Sequence, residues 1–186
     1  VRNTSNFFND RMTLDLGFSY VIQKDQNMLS QGQYFNPIVP LYLFPRGEDF
    51  TPYRMYERYD EGRQLMTQHW PYGEMGMAMQ NPYWIINRNM FNNDRDRYMA
   101  NAGLKYKVFD WMDISGRVRI DNANTRHTKK LYASTDAKFA QSKGYYGDRK
   151  DVDKQLYADF LVNINKRFND FDLTANVGAS IQDVSM

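Results

Sequence analysis

Cysteine is missing from all 186 residues, so neither a disulfide framework nor thiolate chemistry is open to this chain. Histidine is nearly missing. Only His69 and His127 occur, both in connecting segments, and a lone histidine in a loop is more often a surface residue than a metal ligand. Long apolar runs are also missing: no window approaches the ~18 residues that a membrane helix needs. No basic stretch leads into an apolar one, so no signal peptide is visible. An excess of one charge is lacking too. Lys and Arg number 24 against 22 Asp and Glu, for a net charge of +2. That balance argues against a nucleic-acid footprint, which needs clustered basic excess. The acidic clusters Glu48-Asp49, Asp60-Glu61 and Asp151 with Asp153 lack the oxygen-ligand spacing of a calcium loop. With no carboxylate pair or nucleophile constellation either, neither an enzyme nor a cofactor is expected. The first residue is Val rather than Met, and the chain is expected to be a piece of a longer protein.

What is present is alternation. Hydrophobic residues make up 42% and aromatics 16%, yet mean hydropathy is -0.75, so apolar residues are concentrated locally. In five segments they take turns with polar ones at a period of two, the mark of a strand with one apolar face. Met12, Leu14, Leu16, Phe18, Tyr20 and Ile22 share the first such face. The last sets Leu173, Ala175, Val177, Ala179 and Ile181 against Thr174, Asn176, Gly178 and Ser180. The strands are predicted at about 11-24, 96-108, 112-123, 154-167 and 172-183. Asn169-Asp170 suits a two-residue hairpin. Setting Phe168 opposite Phe171 puts Ile164 across from Ala175 and Val162 from Val177. Setting Val108 opposite Met112 likewise matches the second strand to the third, with Lys107 opposite Asp113 as an ion pair. Asn9-Asp10 is predicted to be the same turn as Asn169-Asp170, launching a strand in the same direction. Phe7, Phe8, Phe109, Trp111, Phe168 and Phe171 would gather at that end. The other connections are long, at about 25-95 and 124-153, beyond ordinary loop length.

Such a sheet fits two architectures. It is half of a soluble β-sandwich, its apolar face covered by a second sheet. Or it is part of a membrane barrel, with lipid on that face, a watery lumen on the other, aromatics at the rim, and short turns opposite long loops. Five strands do not close a barrel wall, and open edges are not tolerated in lipid.

The long connections carry a resemblance. YFNP, LYLFPRG, QNPYW, DRYM, the hairpin DWMDISGRVRID and LYASTD occur in order between Phe7 and Ile181. Together they resemble the barrel of SusC/RagA-type TonB-dependent transporters. The fold so implied is all-β: a section of a transmembrane antiparallel up-and-down barrel, which is plugged and has about 22 strands when whole. The plug domain and TonB box are absent from this segment. The resemblance further implies the Gram-negative outer membrane and a SusD-like surface lipoprotein as partner. The expected function is TonB-driven uptake of oligosaccharides or peptides. A soluble, aromatic-rich β-sandwich that binds carbohydrate is the alternative, and a structural barrel without uptake is a third possibility.

Within these readings the first loop holds the candidates for substrate or partner contact: Tyr34, Phe35, Arg46, Arg58, Trp70, Tyr72, Tyr83 and Trp84. Flat aromatic faces stack on sugar rings, and guanidinium forks bind hydroxyls or carboxylates. For any single aromatic, packing within the loop is the commoner fate, because a loop this long needs its own core. All six prolines lie in this loop and restrict it. On the polar face, Arg117, Arg119, Lys105 and Asp121 are candidates to face a lumen and contact a plug.

Overall fold

Residues facing one way along an extended chain are two apart, so the five alternating segments can pair only with all apolar residues on one side. The computed structural model, which describes residues 1–28, 32–72 and 80–186, contains that sheet. Parts of the expected first loop, 29–31 and 73–79, lie outside the described residues. The strands are β1 (Arg2–Phe7), β2 (Met12–Gln26), β3 (Glu57–Asp60), β4 (Leu65–Gln68), β5 (Asn89–Phe109), β6 (Met112–Leu131), β7 (Tyr145–Phe168) and β8 (Phe171–Ser185). Two short helices, α1 (Ile38–Leu43) and α2 (Pro82–Arg88), complete the elements with a 3-10 turn at Thr51–Arg54. The molecule is thus predominantly β. One sheet has the order β1-β2-β5-β6-β7-β8 and the other pairs β3 with β4. The larger sheet is open, with β1 and β8 at its edges, and the described residues close no barrel.

The chain divides into two compact units. The first comprises Val1–Gln23, Arg95–Thr125 and Asp151–Met186; the second comprises Lys24–Asp94 and Arg126–Lys150. In the first unit β7 and β8 pair in the predicted register: Phe168 with Phe171, Ile164 with Ala175, Val162 with Val177. Asn169 takes a left-handed φ of 48° in the connecting turn. The turn at Asn9-Asp10 is different. It spans Phe8 to Arg11, with Phe8, Asn9 and Asp10 all left-handed, and it follows a strand the alternation did not reveal. That strand, β1, pairs antiparallel with β2 from Arg2–Gly17 to Phe7–Met12. Between β5 and β6 the turn is Asp110-Trp111.

The apolar face of the first unit is uncovered. Phe18 is 54% exposed, Ile22 59%, and Val177 and Ile181 68% each, with Leu16, Leu104, Val118, Ile120, Phe160 and Leu173 also exposed. Fully burying a side chain of this size from water is worth about 1.5–3 kcal/mol, and each of these, already part-covered, would gain roughly half of that. A continuous face of this kind needs a covering. Exposed aromatics sit at the short turns: Phe109 stacks on Trp111 at 5.1 Å, and Lys166 Nζ lies over the rings of Trp111 and Phe168.

The second unit holds the buried core, made of Trp70, Trp84, Ile85, Leu131, Ala140 and Pro40. The strands β5, β6 and β7 extend further than the alternation indicated, so the second connection shrinks to 132–144. No helix among the described residues is long and apolar enough to cross a membrane, which bears on helices alone.

Candidate functional site

Two surfaces carry the chemistry. On the polar face of the first unit, carboxylates and guanidinium groups from different strands meet two by two. Arg2 on β1 forks onto Asp15 of β2, with Nε to Oδ1 at 3.0 Å and Nη2 to Oδ2 at 2.7 Å, while Thr4 donates to the same carboxylate. Arg97 of β5 binds Asp121 of β6 in the same bidentate way, at 2.8 and 2.5 Å. Arg117 of β6 donates twice to Oδ2 of Asp159 on β7. Asp113 accepts from Asn163 of β7 at 2.8 Å and pairs with Lys105 at 3.3 Å. The ion-pair partner of Asp113 is therefore Lys105, two residues from the expected Lys107, which places Lys105 and Arg97 against their carboxylates with the same cross-strand offset. Pairs of this kind, screened by solvent, contribute little each. As a row they fix which residues stand opposite each other, and Arg2, Asp15, Arg97, Asp121 and Arg117 among them line a groove of ≈ 880 Å³ together with Arg119, Gln155 and Tyr157.

The predicted polar-face candidates are thus gathered, but not as a set of free charges. Asp121 is buried under Arg97 and Arg117 is bound to Asp159. Arg119 stands beside Asp121, whose carboxylate Arg97 already engages.

The second unit is built around a short helix and a cap. Asn81 precedes Pro82, the first residue of α2, and its Oδ1 accepts from Tyr83 N at 2.9 Å, an N-cap that proline at the first helical position suits. Its Nδ2 donates to Tyr53 O at 2.7 Å and His69 O at 2.9 Å, tying the 3-10 turn and the end of β4 to the helix. Trp84, one turn into α2, is fully buried, and its indole N–H donates to Thr135 Oγ1 at 3.1 Å. Trp70 is buried among Phe44, Phe50, Tyr53 and Tyr72, with ring centroids 5.4–6.0 Å away.

Of the eight loop candidates, Trp70 and Trp84 are therefore inside the fold rather than on a contact surface. Large flat side chains are what a loop without a second layer has available to bury. Tyr34 and Phe35 are half-buried and pack edge-on to Phe139, at 4.8 and 4.9 Å. Tyr72 and Tyr83 are half-buried in the aromatic cluster, while Arg46 and Arg58 are exposed. Lys138 donates to the Tyr34 hydroxyl at 3.0 Å, which lowers the tyrosine's pKa and raises the lysine's. Arg88 forks onto Glu57 of β3 at 2.7 Å on both arms and lies over the ring of Tyr132. Of the acidic clusters, Asp49 lies just ahead of the 3-10 turn and accepts from Thr51 N, which holds its carboxyl below the usual range. Asp60 accepts from Arg63 N.

Composition gave no sign of the neutral polar residues at the centre of this unit: Gln68, Gln80, Asn89, Ser134 and Thr135 are all buried. Polar side chains read as surface when taken one at a time. For Gln80, Ser134 and Thr135 the available signal was their place inside QNPYW and LYASTD, beside aromatic residues that needed burying; Gln68 and Asn89 lie in neither motif. The chain matches no protein-family model and no curated protein.

Proposed function

We propose that this chain is a stretch of barrel wall with its external loops from an outer-membrane, TonB-dependent importer of the SusC/RagA type. It works with a SusD-like surface lipoprotein in the uptake of oligosaccharides or peptides, and the segment has no catalytic chemistry of its own. One observation carries this reading. The first unit is a single layer whose apolar side is uncovered while its opposite side holds a row of cross-strand ion pairs. Lipid on one side and water on the other satisfies both. The open edges at β1 and β8 then pair with strands of the longer protein, since unpaired backbone is not tolerated in lipid. A soluble carbohydrate-binding sandwich needs a second sheet over Phe18, Val177 and Ile181, and the described residues supply none there.

The test is fractionation of the full-length protein from its native cells. Retention in the outer membrane through an alkaline wash, release only by detergent, and co-purification of a lipoprotein are expected. A stable monomer in plain buffer would sink the proposal.

A further inference from the structure

We propose that the described parts of the two long connections, 32–72 and 80–88 of the first and 132–144 of the second, open and close as one body, latched by a ladder of buried, neutral hydrogen-bonding groups. The inference rests on the second unit alone and is independent of what covers the apolar face. Three consecutive residues of the second connection, Ser134, Thr135 and Asp136, each reach into the first. Ser134 Oγ accepts from Gln68 N at 3.0 Å, and Gln68 Nε2 donates back to Ser134 O at 2.6 Å. Thr135 Oγ1 accepts from the Trp84 indole and donates to Asn89 Oδ1 at 2.8 Å. The backbone N–H of Asp136 donates to Gln80 Oε1 at 3.2 Å.

These residues are 0–4% exposed, so no rung can exchange its partner for water while the core stays shut. Moving either connection alone would strand buried donors and acceptors belonging to both. The low-energy opening is the joint one. Because the rungs are neutral side chains and backbone groups, they weaken less with salt than ion pairs would; the contacts of Lys138 with Tyr34 and of Arg88 with Tyr132 are charged ones between the same connections. A ligand or partner that touches only one connection therefore shifts the population of both.

Hydrogen exchange on the full-length protein, read peptide by peptide, tests this with Thr135→Val and with the milder Ser134→Ala, which leaves the Gln68 bond to the Ser134 carbonyl in place. Leaving one such buried group unpaired corresponds to roughly 5- to 150-fold faster exchange. Exchange over 57–68, 80–89 and 131–140 is expected to accelerate by one common factor within each variant. It is expected to be smaller for Ser134→Ala and little changed between low and high salt. Acceleration confined to 131–140, or no acceleration in either variant, would overturn the proposal.

Discussion

Gly144 sits in the second connection at a φ of +94°, and a Cβ built there would come within 2.5 Å of the Leu131 carbonyl oxygen. The obstruction is backbone, so it cannot swing aside. Gly144→Ala is predicted to cost about 1–3 kcal/mol. It should appear as faster protease cleavage within 132–144, whereas Gly47→Ala, with nothing nearby, should leave cleavage unchanged. A second residue-level prediction concerns Asp148, which accepts a fork from Arg126 across β6 and β7. That bond is the main cause holding the Asp148 carboxyl below its usual range and Arg126 above its own. The sign follows from the depressed value. The pair's contribution is complete above the ordinary carboxylate pKa and is lost progressively as pH falls from there through the lower, folded value. In Arg126→Gln, the Asp148 midpoint followed by carboxyl NMR should move upward; an unmoved midpoint would show that the pair does not form in solution. Residues of this kind were hard to anticipate. Nothing in YASTDAKFAQSKGYY marks one glycine as indispensable until its φ is known.

Strands differ in how much of themselves the sequence shows. The register of β7 and β8 was legible because two constraints agree: period-two alternation on both strands and a turn whose asparagine accepts a left-handed backbone. β1 was not legible, because Arg2–Phe7 has one apolar residue and its pairing depends on β2 and on Arg2 meeting Asp15. The polar ends of β5, β6 and β7 were hidden for the same reason: where a strand stops presenting an apolar face, alternation no longer reports it. β3 and β4, four residues each, lie below the length at which a period can be read. On β8 the alternation makes a sharp prediction. In lipid vesicles, Val177→Arg should lower the folding free energy of the full-length protein by about 2–4 kcal/mol if it lies near mid-bilayer, while Asn176→Arg on the other face should change it by under about 0.5 kcal/mol. Chemical unfolding from vesicles measures both. Equal tolerance of the two substitutions would mean that the odd-numbered face does not meet lipid.

For the whole molecule, alternation plus a few ordered motifs conveyed a sheet with short turns at one end and large connections at the other. What they left out was the inside of the second unit. A core in which Gln, Asn, Ser and Thr are buried beside Trp84 depends on partners far apart in sequence, such as Gln68 with Ser134. Local pattern carries no trace of such pairs. The central claim concerns what touches the two faces of the first unit. This chain holds no cysteine, so single cysteines placed one at a time from Leu173 to Gln182, in an otherwise cysteine-free full-length protein reconstituted into lipid, can each carry a spin label. Contact with dissolved oxygen and with a water-soluble nickel chelate then reports lipid and water respectively. If one face meets lipid, labels at 173, 175, 177, 179 and 181 respond to oxygen and labels at 174, 176, 178, 180 and 182 do so less, or respond to the chelate. Odd positions shielded from both reagents, or as open to the chelate as the even ones, would contradict the barrel-wall reading outright.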